Sequence, residues 1–168
     1  MSDPNVVYIG SREMLSSPIL SFRITGSPVD PQNTNSVLHW HCYCLVSAEA
    51  AVMVDMIPGG DTRTGVLSVK YVNPVSSSGS SADIVLHSQV VVTTADVISL
   101  LTRLGRTRYK YSDDGSGCRF WCCTILQDLK DNGYVQQDAV ETFDAFITER
   151  NEMNPLVYPL PTRQGTFY

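Results

Sequence analysis

The sequence predicts an α+β fold in which an antiparallel sheet packs against helices, and two observations carry this prediction. Up to Val92 the chain consists of short apolar segments separated by turn-forming residues, and in Val37–Val46 apolar and polar residues alternate, as in a strand that buries one face. From Thr93 onward the apolar residues recur at helical spacing. With 168 residues, of which 43% are hydrophobic and 17% charged, the chain has the size and composition of one domain, 1–168.

The strands are predicted from apolar runs that are bounded by turn-forming residues. Residues 1–35 form an N-terminal extension with short strands, which ends in a polar loop. Ser47–Ala50 is short enough to be the loop of a hairpin between the two strands that flank it. The predicted strands are Val6–Ile9, Ile19–Ile24, Val37–Val46, Ala51–Ile57, Gly65–Val72 and Ile84–Val92.

Three helices are predicted in the second half of the chain. Thr93 or Thr94 caps the first helix, and Gly105 ends it. The second helix runs from about Cys118 to Asn132, and the third, which is amphipathic, runs from about Gln137 to Arg150. A run of strands followed by a run of helices is typical of the α+β class.

Three further segments have neither pattern. The run at 76–82, rich in serine and glycine, is predicted to be a flexible internal loop, because neither side of it would form a sufficient core alone. Tyr109–Tyr111 is predicted to be a short extended piece. The C-terminal tail, residues 155–168, begins with prolines and is expected to pack on the domain.

Composition and charge argue against several classes of partner. A net charge of −5 disfavours nucleic acid, since phosphate binding needs a clustered basic face. No apolar run approaches the ~20 residues of a membrane span, so no stable membrane anchor is expected. No signal peptide is visible, and the five cysteines lack the spacing of a disulfide framework, which together predict a reduced, cytoplasmic protein.

Cys118 is the candidate nucleophile, because it opens a predicted helix directly after a polar turn. The unpaired N–H groups and the positive dipole end of a helix start favour a thiolate. Gly117 would leave the sulfur approachable and let backbone amides face an oxyanion. Cys122 and Cys123 lie inside the helix and are expected to be core thiols. An inert core thiol is also the alternative for Cys118 itself.

His39, His41 and Asp55 are the candidate acid–base groups. The two histidines share one face of a strand, and Asp55 interrupts an apolar run in the next strand. If these strands form a hairpin, Asp55 can orient His39, which would act as the base for a thiol; packed or surface side chains are the alternative. Two histidines at this spacing also suit a metal, with Asp55 or Cys118 completing the shell, but no third ligand follows at a recognisable spacing, so no metal or other cofactor is predicted.

Several short motifs between Val37 and Gly133 occur in the order found in a known enzyme family. They are His39-Trp40-x-x-Tyr43, Thr94 to Leu104, Tyr109, and Gly117-Cys118-x-x-Trp121. In these motifs the chain resembles lecithin–retinol acyltransferase-like proteins, in which the histidine precedes the cysteine in a circularly permuted papain-like fold. The resemblance implies that Cys118 is the nucleophile, His39 the base and Asp55 the orienting residue.

The whole sequence is also similar to an uncharacterised, mostly fungal domain family, which brings no established activity with it. The matching segments are His39-Trp40, Val54-Asp55-Met56, Arg106-x-Arg108-Tyr109, Gly117-Cys118-Arg119-Phe120-Trp121 and Arg163-Gln164-Gly165-Thr166-Phe167.

The sequence therefore predicts a thiol-dependent hydrolase or acyltransferase that acts on a small amide or ester. One alternative is a cofactor-independent cyclase or isomerase of fungal specialised metabolism that uses His39, His41 and Asp55, and another is a non-catalytic binding protein on the same scaffold. The expected partner is a small-molecule substrate, and the composition is compatible with a homodimer. The predicted substrate-binding residues are Trp40, His41, Tyr109, Trp121, Arg163 and Gln164.

Overall fold

The computed structural model describes residues 3–72 and 82–168, and in them a six-stranded sheet packs against three helices. The α+β class is therefore confirmed. The predicted flexible loop lies outside the described residues, apart from Ala82, which begins a strand. The strands are β1 (Val6–Ile9), β2 (Ser21–Pro28), β3 (Leu38–Leu45), β4 (Ala51–Pro58), β5 (Gly65–Val72), β6 (Ala82–His87), β7 (Tyr109–Lys110) and β8 (Thr166–Phe167). The helices are α1 (Thr94–Arg103), α2 (Cys118–Asp131) and α3 (Ala139–Met153), with one turn of 3-10 helix at Glu13–Ser16.

The large sheet has the order β1-β5-β4-β3-β2-β6, and its pairs are antiparallel except for β1 with β5. β3 pairs with β2 along its whole length, from Leu38 opposite Pro28 to Leu45 opposite Ser21. Its ladder with β4 covers only the half next to the hairpin, ending at Cys42 opposite Val54. The other halves of β3 and β4 part from each other, and these halves carry His39 and Asp55.

The core lies between the sheet and the helices. The apolar face of β3, with Trp40, Cys42 and Cys44, is buried against them. Trp40 meets Phe143 of α3 edge-on, with the ring centroids 5.4 Å apart. Trp121 of α2 is fully buried, and its indole N–H donates to the carbonyl of Arg106 at 3.0 Å. Burying each of these large side chains contributes about 2 to 3 kcal/mol, so the core holds α2 firmly against the middle of the sheet.

The start of α1 agrees with the sequence prediction, whereas the end of β6 does not. Thr93 and Asp96 form a capping box at the start of α1, as the predicted threonine cap required. β6, in contrast, ends at His87 and not at Val92. The chain turns away there, because the Ser88 hydroxyl donates to the Val90 carbonyl at 2.7 Å. No helix in the described part of the chain is long and apolar enough to cross a membrane.

The C-terminal segment, residues 155–168, lies against the start of α2. Its strand β8 pairs with β7, so that Phe167 is opposite Tyr109. The Tyr109 hydroxyl accepts a hydrogen bond from the Gly165 amide at 3.0 Å and donates one to the Gly117 carbonyl at 2.7 Å. This buried hydroxyl therefore joins the C-terminal segment to the residue before α2.

Gly165→Ala tests this junction. A Cβ at Gly165 would collide with the Lys110 carbonyl oxygen and the Tyr109 hydroxyl, so we expect the free energy of unfolding to fall by about 1 to 3 kcal/mol. Gly60→Ala is the matched control, because a Cβ there meets no atom within 4 Å and no loss of stability is expected. Denaturant unfolding measures both variants. Equal stability of the two variants would show that the close approach at Gly165 does not constrain the fold.

Candidate active site

The candidate site lies at the N-terminus of α2, beside the parted halves of β3 and β4. Cys118 is the first residue of the helix and is partly exposed. Gly117 before it has a φ of 137°, a conformation that side chains other than glycine rarely adopt. A Cβ at Gly117 would also lie 2.6 Å from the Tyr109 hydroxyl oxygen. Glycine is thus required at this position, and it fixes the direction in which α2 begins.

The Cys118 sulfur faces polar backbone groups. Its Sγ lies 3.8 Å from the carbonyl oxygen of Leu38, within the range of a weak S–H hydrogen bond. No side chain of the described residues caps the N-terminus of α2, so none of them places a capping oxygen on its first N–H groups. Those N–H groups and the helix dipole favour a negative charge at this end of the helix. The sequence prediction placed Cys118 at this kind of helix start.

His39 and Asp55 form a close pair. The Nε2 atom of His39 lies 2.7 Å from Oδ1 of Asp55, whose side chain is only 9% exposed. Burial of the imidazole lowers the pKa of His39, but hydrogen bonds to Asp55 and Cys118 outweigh it and raise the pKa to about 10. His39 therefore carries a proton at neutral pH. The predicted hairpin does bring Asp55 to His39.

His41 lies deeper and is 6% exposed. Its Nε2 is 3.3 Å from the Tyr43 hydroxyl, and its Nδ1 is buried without a hydrogen-bond partner among the described residues. Burial lowers the pKa of His41, which favours the neutral ring. One potential ligand atom from each of His39, His41 and Asp55 lies within 4.8 Å of the others. These three residues are therefore a candidate metal site, and the absence of a metal stays a prediction.

His39, Asp55 and Cys118 line one cleft with a volume of about 900 Å³, the size of a small-molecule site. One wall comes from β2 and β3 and the loop between them, and the opposite wall comes from the C-terminal segment. Apolar side chains predominate among the lining residues. The principal ones are Pro28, Val29, Val37, Leu38, Trp40, Ile57, Tyr111, Pro155, Leu156 and Val157.

The predicted substrate-binding residues divide into two groups. Trp40 and Arg163 line the cleft, and Arg163 forms an ion pair with Asp114 at its edge. His41, Tyr109, Trp121 and Gln164 do not line it. Tyr109 and Trp121 are fully buried around the start of α2, and Gln164 is exposed outside the cleft.

Sequence reasoning missed two residues of the cleft. Tyr111 is buried, and its hydroxyl donates to the Met56 carbonyl beside Asp55. Arg119 follows Cys118 directly and is buried in the cleft wall. Tyr111 was detectable as the second aromatic residue of an alternating Tyr-Lys-Tyr segment. Nothing in the sequence marked Arg119 as a binding residue, because it is a single charged residue next to the candidate nucleophile.

The fold and the site define an α+β domain with a partly exposed thiol at a helix start, close to an ion-paired histidine. The chain belongs to the family described as Domain of unknown function (DUF7770), whose model matches residues 22–168. The match includes His39, Asp55 and Cys118, and the prediction of an uncharacterised domain family is confirmed. No curated protein and no solved structure matches the chain.

Titration of His39 tests the electrostatics of the site. We expect the imidazole to titrate near pH 10 in the wild-type protein, and Asp55→Asn to lower its pKa toward the ordinary 6.5. Because the folded-state pKa is raised, the pair stabilises the fold fully below pH 6.5 and loses this contribution as the pH rises to about 10. Nitrogen chemical shifts of the imidazole, recorded by NMR against pH, measure the pKa. Asp83→Asn on β6 is the control, and a wild-type midpoint near 6.5 would contradict the prediction.

Proposed function

We propose that the protein is a thiol-dependent hydrolase or acyltransferase that acts on a small amide or ester. Cys118 is the nucleophile, His39 exchanges protons with it, and Asp55 orients His39. The observation that carries the proposal is the His39–Asp55 contact of 2.7 Å in the cleft that also holds Cys118 at the start of α2. Nucleophile, base and orienting carboxylate are the parts that such a site needs.

The contacts of the imidazole assign its two nitrogens. Nε2 is hydrogen-bonded to Asp55, so Nδ1 is the nitrogen available to exchange a proton with the sulfur of Cys118. The hydrogen bonds that raise the pKa of His39 favour the imidazolium, which is the acid that a departing amine or alcohol needs. Asp55 holds the ring in place and stabilises its positive charge, as a buried carboxylate does in other nucleophile–histidine sites.

The reaction proceeds in two halves. The thiolate of Cys118 attacks the carbonyl carbon, a C–S bond forms, and the carbonyl electron pair moves to an oxyanion held by N–H groups at the start of α2. The oxyanion collapses, the bond to the amine or alcohol breaks, and His39 gives that leaving group its proton. A water, amine or alcohol then loses a proton to neutral His39 and attacks the thioester. The C–S bond breaks, and the acyl group leaves with the new acceptor.

The other cysteines are poor nucleophiles by comparison. Burial raises the pKa of Cys123 to about 12 and raises that of Cys122 well above its ordinary value. Neither residue lines the cleft. Cys118 therefore combines access from the cleft with a neighbouring cation, which is the environment of a reactive thiol.

The proposal includes a papain-like arrangement, a reducing compartment and a small-molecule substrate. A histidine strand that precedes the cysteine helix supports a circularly permuted papain-like arrangement. All five cysteines are free, which favours a reducing compartment such as the cytoplasm. A small-molecule substrate fits a cleft of about 900 Å³. Fungal origin and a homodimer stay predictions.

Two mass-spectrometric measurements test the proposal. Peptide mass spectrometry after brief iodoacetamide treatment should find Cys118 labelled fast and Cys122 and Cys123 slowly, because Cys118 lines the cleft beside a cation, whereas burial raises the pKa of the other two thiols. His39→Ala should slow Cys118 labelling by about tenfold or more, since it removes the neighbouring cation. Incubation with p-nitrophenyl acetate should leave one acetyl group on Cys118 of the native protein.

Cys118→Ser and Cys123→Ser form a matched pair for these measurements. The first should abolish acetylation, and the second, which alters a thiol in the same helix, should leave it intact. A Cys118 that reacts as slowly as Cys123, with no acetyl adduct, would show that the thiol is not the nucleophile.

One observation favours a second candidate function, which is non-covalent acid–base catalysis by His39, His41 and Asp55. One ring nitrogen of the buried His41 lies within 4.8 Å of the His39–Asp55 pair, and its Nδ1 has no partner among the described residues. The group contains both a protonated and an unprotonated imidazole, because the pKa of His39 is raised and that of His41 is lowered. A cyclase or isomerase needs such an acid and base together.

The two candidates make opposite predictions for a pair of variants, measured as turnover of any substrate found by screening. Acid–base catalysis predicts that His41→Gln abolishes turnover and that Cys118→Ser retains it, because no covalent bond to sulfur forms. The thiol mechanism predicts that Cys118→Ser abolishes turnover. Loss of turnover in Cys118→Ser with activity kept in His41→Gln would exclude the second candidate.

A further inference from the structure

Arg119 is a buried cation in the wall of the cleft, and no carboxylate of residues 3–72 and 82–168 forms an ion pair with it. It is the second residue of α2 and is 7% exposed. Its Nη2 donates to the Pro159 carbonyl, and its Nε is buried without a hydrogen-bond partner among the described residues. Buried arginines are normally paired with a carboxylate, because an unpaired buried charge is costly. The charge of Asp144 on α3 favours the protonated form of Arg119 through space, but the two side chains form no ion pair.

The carboxylates that line the cleft are already occupied. Asp55 is bound to His39, and Asp114 is bound to Arg163. Arg119 is therefore the cation of the cleft whose charge no carboxylate of the cleft balances. It lies at the positive end of the α2 dipole, so the dipole and the guanidinium attract an anion together. This positive region occurs in a chain whose net charge is −5.

We propose that Arg119 binds a carboxylate of the ligand, so that the substrates of Cys118 carry a carboxylate group in addition to the carbonyl that reacts. This inference rests on the proposed function for the identity of the reacting carbonyl. The Pro159 carbonyl takes one of the five N–H donors of the guanidinium, and the Nε–H, which has no partner among the described residues, is left to donate to a carboxylate oxygen. One arginine fits a single carboxylate charge better than a phosphate dianion.

The rest of the cleft indicates the body of this ligand. Val29, Val37 and Leu156 line the cleft and are 64%, 50% and 64% exposed, so an apolar group bound there would cover them. Within the part of the chain that the structure describes, no charged side chain other than those named above lines the cleft. The structure therefore assigns the ligand to apolar acyl compounds that carry a carboxylate.

The test compares two alkylating reagents that differ in charge. Iodoacetate and iodoacetamide both react by attack of the Cys118 sulfur on the methylene carbon, with loss of iodide, but only iodoacetate carries a carboxylate. Arg119→Met should lower the ratio of the iodoacetate rate to the iodoacetamide rate by about tenfold, because any effect of the guanidinium on the Cys118 thiol enters both rates and cancels in their ratio. Arg119→Lys, which keeps the charge, should restore part of this ratio. Arg103→Met, at the exposed end of α1, removes a charge elsewhere and should change neither rate.

The iodoacetamide rate separates the two proposals. A fast iodoacetamide reaction with an iodoacetate rate that does not depend on Arg119 would overturn the carboxylate site and keep the thiolate. Arg119 would then be a structural contact for Pro159.

A second measurement does not require a reactive thiol. In Cys118→Ser, titration with benzoate should shift the NMR signal of the Arg119 Nε–H until it saturates, and this signal should be absent from the spectrum of the Cys118→Ser, Arg119→Met double variant. No shift at millimolar benzoate would overturn the inference even if Cys118 proves to be the nucleophile. A saturable shift with an inert Cys118 would retain the carboxylate site and overturn the thiol mechanism.

Discussion

The two hydrogen bonds of the Tyr109 hydroxyl determine how the candidate site is assembled. The hydroxyl is buried, donates to the Gly117 carbonyl at 2.7 Å and accepts from the Gly165 amide at 3.0 Å. The first bond sets where α2 begins, and the second places the segment that forms one wall of the cleft. Because both partners are backbone groups of glycines, no side chain separates the tyrosine from the main chain. The candidate nucleophile Cys118 and the cleft therefore share one buried hydrogen-bonding residue.

The charges of the cleft are organised around the same helix start. His39 and Asp55 come from strands that part in front of it, and Arg119 comes from its second residue. An imidazolium, a guanidinium and the helix dipole all act in the same direction on an anion at the sulfur or on a bound carboxylate. Two carboxylates, Asp55 and Asp114, each neutralise one cation. What remains is a local positive potential in an acidic protein.

Local sequence patterns were sufficient for the fold class and for bringing the three candidate residues His39, Asp55 and Cys118 to one cleft. Alternation in β3 placed His39, a short loop placed β4 beside it, and the polar turn before Gly117 placed Cys118 at a helix start. Patterns failed where the outcome depends on distant contacts. Val90 and Val91 have high β propensity, yet the chain leaves the sheet at Ser88 and Val91 is 90% exposed. Arg119 and Tyr111 enter the cleft only through the packing of α2 and β7, which no local periodicity encodes.

The parting of β3 and β4 has a consequence for the motions of the sheet. Each strand keeps its other neighbour, β2 or β5, but loses half of the ladder between them. Local opening follows the number of hydrogen bonds and buried contacts that must break. The segments around His39 and Asp55 lie in the middle of a six-stranded sheet, where a strand normally pairs with a neighbour on each side. Here each segment pairs with only one neighbouring strand. The candidate catalytic pair thus lies where the sheet opens more easily than its interior location would suggest.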